Sequence, residues 1–172
     1  YISKLKNEFP DIKISKSLSG EGIIIINDNA KGVIFKGIDK NEKKSIEFLS
    51  QNITSGNAKT FNKNQVFIGT ELAYNLKLKK DDKISLMSSA FVATPLGSLP
   101  KQESFNIAGT FTTGFLEFDQ NIILLEMEDA LSIFDKEEKD QNIEIYLKDP
   151  LEANLLKSKI ENFNPNYFIY TW

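Results

Sequence analysis

Between two runs of alternating apolar and polar residues lies Phe91-Val92-Ala93-Thr94-Pro95-Leu96-Gly97-Ser98-Leu99-Pro100-Lys101-Gln102. Before it, Lys83 to Met87 places Ile84 and Leu86 on one face. After it, Phe105, Ile107, Gly109 and Phe111 alternate cleanly, so both flanks predict strands. Pro95 and Pro100 bracket a four-residue tip, Leu96 to Leu99, with a glycine inside it. Proline fixes φ and cannot donate to a strand ladder, so the stretch predicts a stiffened, protruding hairpin. Leucines at a solvent-facing tip cost free energy unless something covers them, and each adds about 1.5–3 kcal/mol on full burial against a partner. Two readings stay open on these grounds: a docking element, or a loop folded back on its own domain.

Outward from the hairpin the patterning is legible on both sides. Ile2, Leu5 and Phe9 follow helical spacing, and Pro10 ends that helix. Ile12, Ile14 and Leu18 predict a half-buried strand. Ser19-Gly20-Glu21-Gly22 predicts a turn, and Ile23 to Asn27 a second strand. Asp28 to Gly32 predicts another turn, leading into a third strand from Val33 to Ile38. The polar stretch from Asp39 to Asn64 carries one amphipathic piece around Ile46, Phe48, Leu49 and Ile53. Val66 to Gly69 then predicts a strand, with Thr70 capping a helix that carries Leu72, Ala73 and Leu76. Asn121 to Glu126 predicts a buried strand and Met127, Leu131 and Phe134 a short helix. Ile143 to Leu147 alternates as a strand with one wet face. Asp149-Pro150 is a helix start, Leu151 to Phe163 carries the apolar stripe, and Tyr167 to Trp172 predicts a closing strand. Helices covering one face of an antiparallel sheet make the expected fold class α+β.

Composition narrows the chemistry. The 172 residues are 41% hydrophobic and 26% charged, enough for one domain or two subdomains sharing a core. Cysteine and histidine are absent, and every one of the 21 basic residues is lysine. This removes Cys/His zinc sites, histidine-dependent triads, thiol nucleophiles and forked arginine contacts to phosphate. A formal charge of −3 gives no general attraction for nucleic acid. The longest strictly apolar run, Ile23 to Ile26, is far short of a membrane span of about 20 residues. The chain begins at Tyr1 and so reads as a processed or excised piece of a longer protein.

Candidate sites are few. Glu117 and Asp119 would share a face if their segment were extended, as paired carboxylates for acid–base work require. The plainer reading is a hairpin with solvated acids. Ser-Lys neighbours at Ser3-Lys4, Ser15-Lys16 and Ser158-Lys159 cannot face each other on a strand or a helix. Gly20-Glu21-Gly22 lacks the following helix that a phosphate loop needs. Lys77-Leu78-Lys79-Lys80 is broken at once by Asp81-Asp82, which favours a solvated helix end. Asn52-Ile53-Thr54 fits an N-glycosylation pattern of low specificity. No catalytic residue, metal ligand or cofactor site is assigned.

Thr94 to Pro100, followed by Phe105-Asn106-Ile107-Ala108-Gly109-Thr110-Phe111, resembles the large periplasmic domain of the LolC/LolE permeases. The resemblance continues through Gly114, Glu117, Phe118 and Asp119 to Glu128-Asp129-Ala130-Leu131-Ser132-Ile133-Phe134, and its specific part spans about residues 66 to 135. These permeases belong to the lipoprotein-releasing ABC transporters of Gram-negative bacteria. The resemblance implies a ferredoxin-like porter subdomain with an inserted, mostly β sabre subdomain. On this chain that places the porter at 1–38 and 117–172 and the sabre at 39–116, with a hook hairpin at about 92–104.

It further implies a non-enzymatic domain on the periplasmic face of the inner membrane. A separate subunit, LolD, would hydrolyse ATP, and a second permease subunit would stand beside this one. Triacylated lipoproteins would be handed to the periplasmic chaperone LolA through a hook at Pro95, Leu96, Gly97, Ser98, Leu99 and Pro100, with Lys101 and Gln102 on its returning arm. Family members often carry arginine at the hook. Here Ser98 occupies the tip, so the contact falls to leucines, prolines, backbone groups and lysine. An alternative within the superfamily is a MacB/FtsX-type permease domain serving efflux or envelope mechanotransmission.

Overall fold

Strands predominate because apolar residues recur at every second position, and in the computed structural model most of these strands join edge to edge. The structure describes residues 2–10, 12–27, 29–95, 97–147, 149–164 and 168–171. Helix α1 (Ile2–Glu8) precedes strands β1 (Lys13–Ser17), β2 (Ser19–Ile26) and β3 (Asn29–Ile38). Helix α2 (Lys43–Asn52), β4 (Ile53–Ser55), β5 (Gln65–Gly69) and α3 (Thr70–Leu76) follow. Then come the long strands β6 (Lys83–Thr94) and β7 (Gly97–Phe111), α4 (Leu116–Asn121), β8 (Ile122–Glu126), α5 (Met127–Ile133), β9 (Asn142–Tyr146) and α6 (Ala153–Phe163). The chain forms two compact units, Lys16–Asn142 and the paired end segments Tyr1–Ser15 with Ile143–Trp172.

The larger unit is built on ring closure. Strand β2 pairs antiparallel with β3 and with β6, and β6 pairs antiparallel with β7. β7 runs parallel to β5, β5 antiparallel to β8, and β8 parallel to β3, which returns to β2. Six of the sheet's seven strands therefore close on themselves, and β4 adds outside β7. The fold is mixed α and β, as expected. The sheet, however, is neither open nor wholly antiparallel, because β5–β7 and β3–β8 are parallel pairs. Strands from both ends of the chain, β2, β3 and β8, share the ring with β5, β6 and β7.

Closing a sheet gives it an inside, and alternate residues fill it. Ile24, Val33, Phe35, Val66, Ile68, Ile84, Leu86, Phe105, Ile107, Ile123 and Leu125 make one buried cluster, which α3 joins through Leu72 and Ala73 and α5 through Met127, Ala130, Ile133 and Phe134. The outward residues of β5, β7 and β8 are buried too: Phe67, Phe111, Ile122 and Leu124 pack with Leu49 of α2, Phe61 and Ile38. β8 is thus covered on both faces, which explains its unbroken apolar run Ile122 to Leu125. In the smaller unit β1 and β9 form a two-stranded sheet, and Leu5, Ile12 and Ile160 are buried.

Several local expectations need correction. Ser19 to Gly22 is not a turn but the start of β2. Its glycines make room for aromatic rings: a Cβ on Gly20 would lie 2.8 Å from Phe134, and one on Gly22 would collide with Phe35. Those two rings pack with centroids 5.7 Å apart. The β2–β3 turn is tighter than Asp28 to Gly32, since Ile26 already pairs with Asn29; Asp28 lies outside the described residues. Asn27 takes the left-handed conformation at φ 51° that asparagine tolerates. Thr70 is not the cap of α3, because Gly69 holds that position and the Thr70 hydroxyl donates across to the Phe111 carbonyl at 3.0 Å. Asp149 does start its turn, accepting from the Leu151 N–H at 2.9 Å. Of the expected closing strand, Tyr167 and Trp172 lie outside the described residues, and Phe168 to Thr171 are not in a strand.

Gly22→Ala should lower stability to urea by about 1–3 kcal/mol, because the Phe35 ring must leave its rotamer or the strands must part. Gly32→Ala on the neighbouring strand, where a Cβ meets nothing, should stay within about 0.5 kcal/mol. Equal effects of the two substitutions would contradict the ring-over-glycine packing.

Candidate docking hairpin

β6 and β7 are the longest strands, and only their near halves serve the ring. β6 pairs with β2 from Ser85 to Ser88, and beyond that only with β7 among the described residues. After a register break between Met87 and Phe91 the two continue as a free hairpin, pairing Phe91 with Pro100, Val92 with Leu99, Ala93 with Ser98 and Thr94 with Gly97. Thr94 Oγ1 donates to the Gly97 carbonyl at 2.7 Å, and Gly97 sits at φ 121°, a region other residues avoid. Among the described residues, large apolar side chains stand in solvent here: Phe91 is 61% exposed, Leu99 53% and Val92 46%.

The root is held differently. α5 ends pointing its last carbonyls at the hairpin, and that of Ser132 already accepts from the Asp135 N–H at 2.9 Å. Lys101 Nζ donates to the Ser132 carbonyl at 2.6 Å, a cation placed at a helix C-terminus where the dipole favours it. The same ammonium lies 3.7 Å from Glu103, which also accepts from the Ser132 hydroxyl at 3.0 Å. From the other strand Ser88 Oγ donates to the Ile133 carbonyl at 2.5 Å. Gln102 Nε2 donates across the pair to Ser85 Oγ at 2.7 Å.

The residues singled out in sequence therefore fall into two groups. Pro95, Gly97, Ser98, Leu99 and Pro100 lie exposed at the far end, while at the root Lys101 is half-buried against α5 and Gln102, itself exposed, bonds across the pair to Ser85. Leu96 lies outside the described residues. Phe91 and Val92 belong to the exposed group as well. Strand pairing brings them opposite Pro100 and Leu99, a relation that depends on register and cannot be read from spacing.

The carboxylate candidates separate. Glu117 and Asp119 sit on helix α4, not on an extended hairpin, with Glu117 exposed and Asp119 buried. Asp119 accepts from Thr112 Oγ1 at 2.6 Å, from the Thr113 N–H and hydroxyl at 2.8 Å each, and from the Gly114 N–H at 3.3 Å. Burial alone would raise its pKa, but these donors outweigh it and hold the carboxyl below its usual range. Asp119 is thus the clasp of the turn between β7 and α4. Elsewhere Lys40 pairs at 2.5 Å with Glu126, which is 3% exposed, and Asp129 accepts from the Asn64 N–H at 2.7 Å while burial pushes its pKa up. Among the described residues no group of three metal-ligating side chains occurs. No helix among them is long and apolar enough to cross a membrane.

The fold is one also seen in the extracellular domain of an ABC-type transporter. The structure superposes on the extracellular domain of the noncanonic ABC-type transporter YknZ from Gram-positive bacteria with a TM-score of 0.53, covering 92% of this chain and 81% of that one at 12% identity. A particular relative follows from sequence. The chain is 26% identical over 102 residues to the lipoprotein-releasing system transmembrane protein LolC of Xylella fastidiosa, covering 58% of this chain and 25% of that protein. It is 20% identical over 145 residues to LolC of Neisseria meningitidis serogroup B, covering 83% and 35%. The chain thus spans a quarter to about a third of the curated relatives it matches. No protein-family model matches it. The likeness to LolC-type ABC permeases read from residues 94 to 134 is borne out by these matches.

Two outcomes are expected. Asp119→Asn should destabilise the domain at neutral pH. Because the folded-state pKa is depressed, wild type should lose that advantage as pH falls below about 4, so the difference in urea midpoint between the two should shrink there. Lys101→Met should lower the backbone order parameters of Ser98 and Leu99 in the isolated domain, as seen by nitrogen-15 relaxation, because the hairpin root loses its tie to α5. Unchanged order would show that Lys101 does not brace the hairpin.

Proposed function

We propose that this chain is the periplasmic domain of an inner-membrane ABC transporter permease that releases outer-membrane-directed lipoproteins and passes them to the chaperone LolA. The observation that carries the reading is the β6–β7 hairpin, apolar and exposed at its far end and tied at its root. Apolar side chains in that position are stabilised by burial against a partner. The likeness to LolC sequences supplies the partner's class.

In this reading the chain is not an enzyme and uses no cofactor or metal. LolD hydrolyses ATP and acts through the membrane part of the permease, a second permease subunit completes the transporter, and triacylated lipoproteins are the cargo. Pro95, Leu96, Gly97, Ser98, Leu99 and Pro100 meet the chaperone. Lys101 and Gln102 orient the hairpin instead of touching it. The division into a porter part and a sabre part belongs to the same proposal. On this chain the porter part takes 1–38 and 117–172 and the sabre part 39–116. A second reading, a MacB/FtsX-type domain in efflux or envelope mechanotransmission, is favoured by the fold likeness to a transporter from Gram-positive bacteria.

Calorimetric titration of the domain with LolA separates the two. Lipoprotein release predicts binding by wild type and a loss of about tenfold or more in Leu96→Asp plus Leu99→Asp, since two apolar contacts are replaced by buried charge. Equal binding by the double variant would remove the hook assignment. No binding by wild type would favour the second reading.

A further inference from the structure

The hairpin's two outer edges differ. In an antiparallel pair, residues opposite each other alternate between exchanging hydrogen bonds and turning their main-chain groups away. Pro100 has no N–H to give, so its pair with Phe91 is of the second kind, and so is the pair two residues on, Ala93 with Ser98. The N–H and C=O groups of Phe91 and Ala93 therefore point out along the free edge of β6. On the β7 edge the equivalent groups belong to Ser98 and to Pro100, which lacks the donor, and Lys101 follows.

Proline and lysine are the usual protections of a sheet edge against pairing with another chain. β7 carries Pro100 on its outer edge, whereas β6 has no proline and, from Ser85 to Thr94, no charged residue. Ser89, Phe91, Val92 and Ala93 are all exposed, and no strand among the described residues covers this edge. Outward main-chain donors and acceptors in extended conformation fit another extended backbone.

We propose that the β6 edge, Ser89 to Ala93, binds its protein partner by strand addition, taking an uncharged edge strand of the chaperone as a further strand of the hairpin. This rests on the chaperone reading above and says how the contact is made without arginine. A second copy of this chain is the weaker occupant. Pairing along about five residues buries far less than the roughly 1,200 Å² of a stable interface, which suits an encounter that must be released.

The test is titration of the domain with LolA together with amide exchange of both free and bound domain. Ala93→Pro places on β6 the block that Pro100 places on β7, and should weaken binding about tenfold or more, while Ser98→Pro on the other edge should change it less than about threefold. The amides of Phe91 and Ala93 should exchange freely in the free domain and slow at least about tenfold in the complex, a readout that needs no variant. Wild-type binding without that protection, or equal affinity of Ala93→Pro, overturns strand addition and leaves the chaperone reading standing. Protection that appears on raising domain concentration alone assigns the edge to self-pairing and overturns it too. Absence of wild-type binding removes the chaperone reading, and this proposal falls with it.

Discussion

Ring closure through β6 is the constraint on which the larger unit depends. β6 pairs with β2 on one side and β7 on the other, so it joins the first hairpin of the unit to strands that come much later in the chain. Without that seam the sheet would expose Ile24, Ile84, Leu86 and Phe105, which closure buries completely or nearly so. At about 1.5–3 kcal/mol for each such side chain, exposing them would cost an amount comparable with the net stability of most domains. The glycines of β2 belong to the same constraint, since the interior has room for Phe35 and Phe134 only where a neighbouring strand lacks a Cβ.

The β6–β7 hairpin is a direct extension of this ring. It is not a separate loop but the continuation of two ring strands past the point where β2 leaves off. Its direction is fixed by ties to the end of α5, a helix that itself fills the ring through Met127, Ala130 and Ile133. A chain with no arginine has placed its one hairpin-root lysine on its own helix. That leaves apolar side chains and main-chain groups at the far end. Such a surface can bind transiently, because it brings no buried charge pair whose separation would be slow.

Most elements were legible in sequence because their signals are local. Alternation marked β6, β7 and β9, and the proline bracket marked the hairpin. What sequence could not give was pairing. Ser19 to Gly22 has the composition of a turn, and only the rings of Phe35 and Phe134, folded over it from distant positions, make it a strand. Thr70 has the identity of a cap but spends its hydroxyl on Phe111 across the sheet. Glu117 and Asp119 read as a possible pair until α4 turned one to solvent and the clasp of Thr112, Thr113 and Gly114 took the other. The tie of Lys101 to α5 was hidden for the same reason: its acceptor lies 31 residues away.

The central claim is that one closed ring carries the hairpin as its direct extension, and native-state amide exchange at the β2–β6 seam tests it most directly. The account predicts that the hydrogen-bonded amides between Gly22–Ile25 and Ser85–Ser88 exchange only on global unfolding, with the same free energy as those of β5 and β8. Seam amides that open at much lower free energy than β5 and β8 would contradict closure, and with it the base of the hairpin.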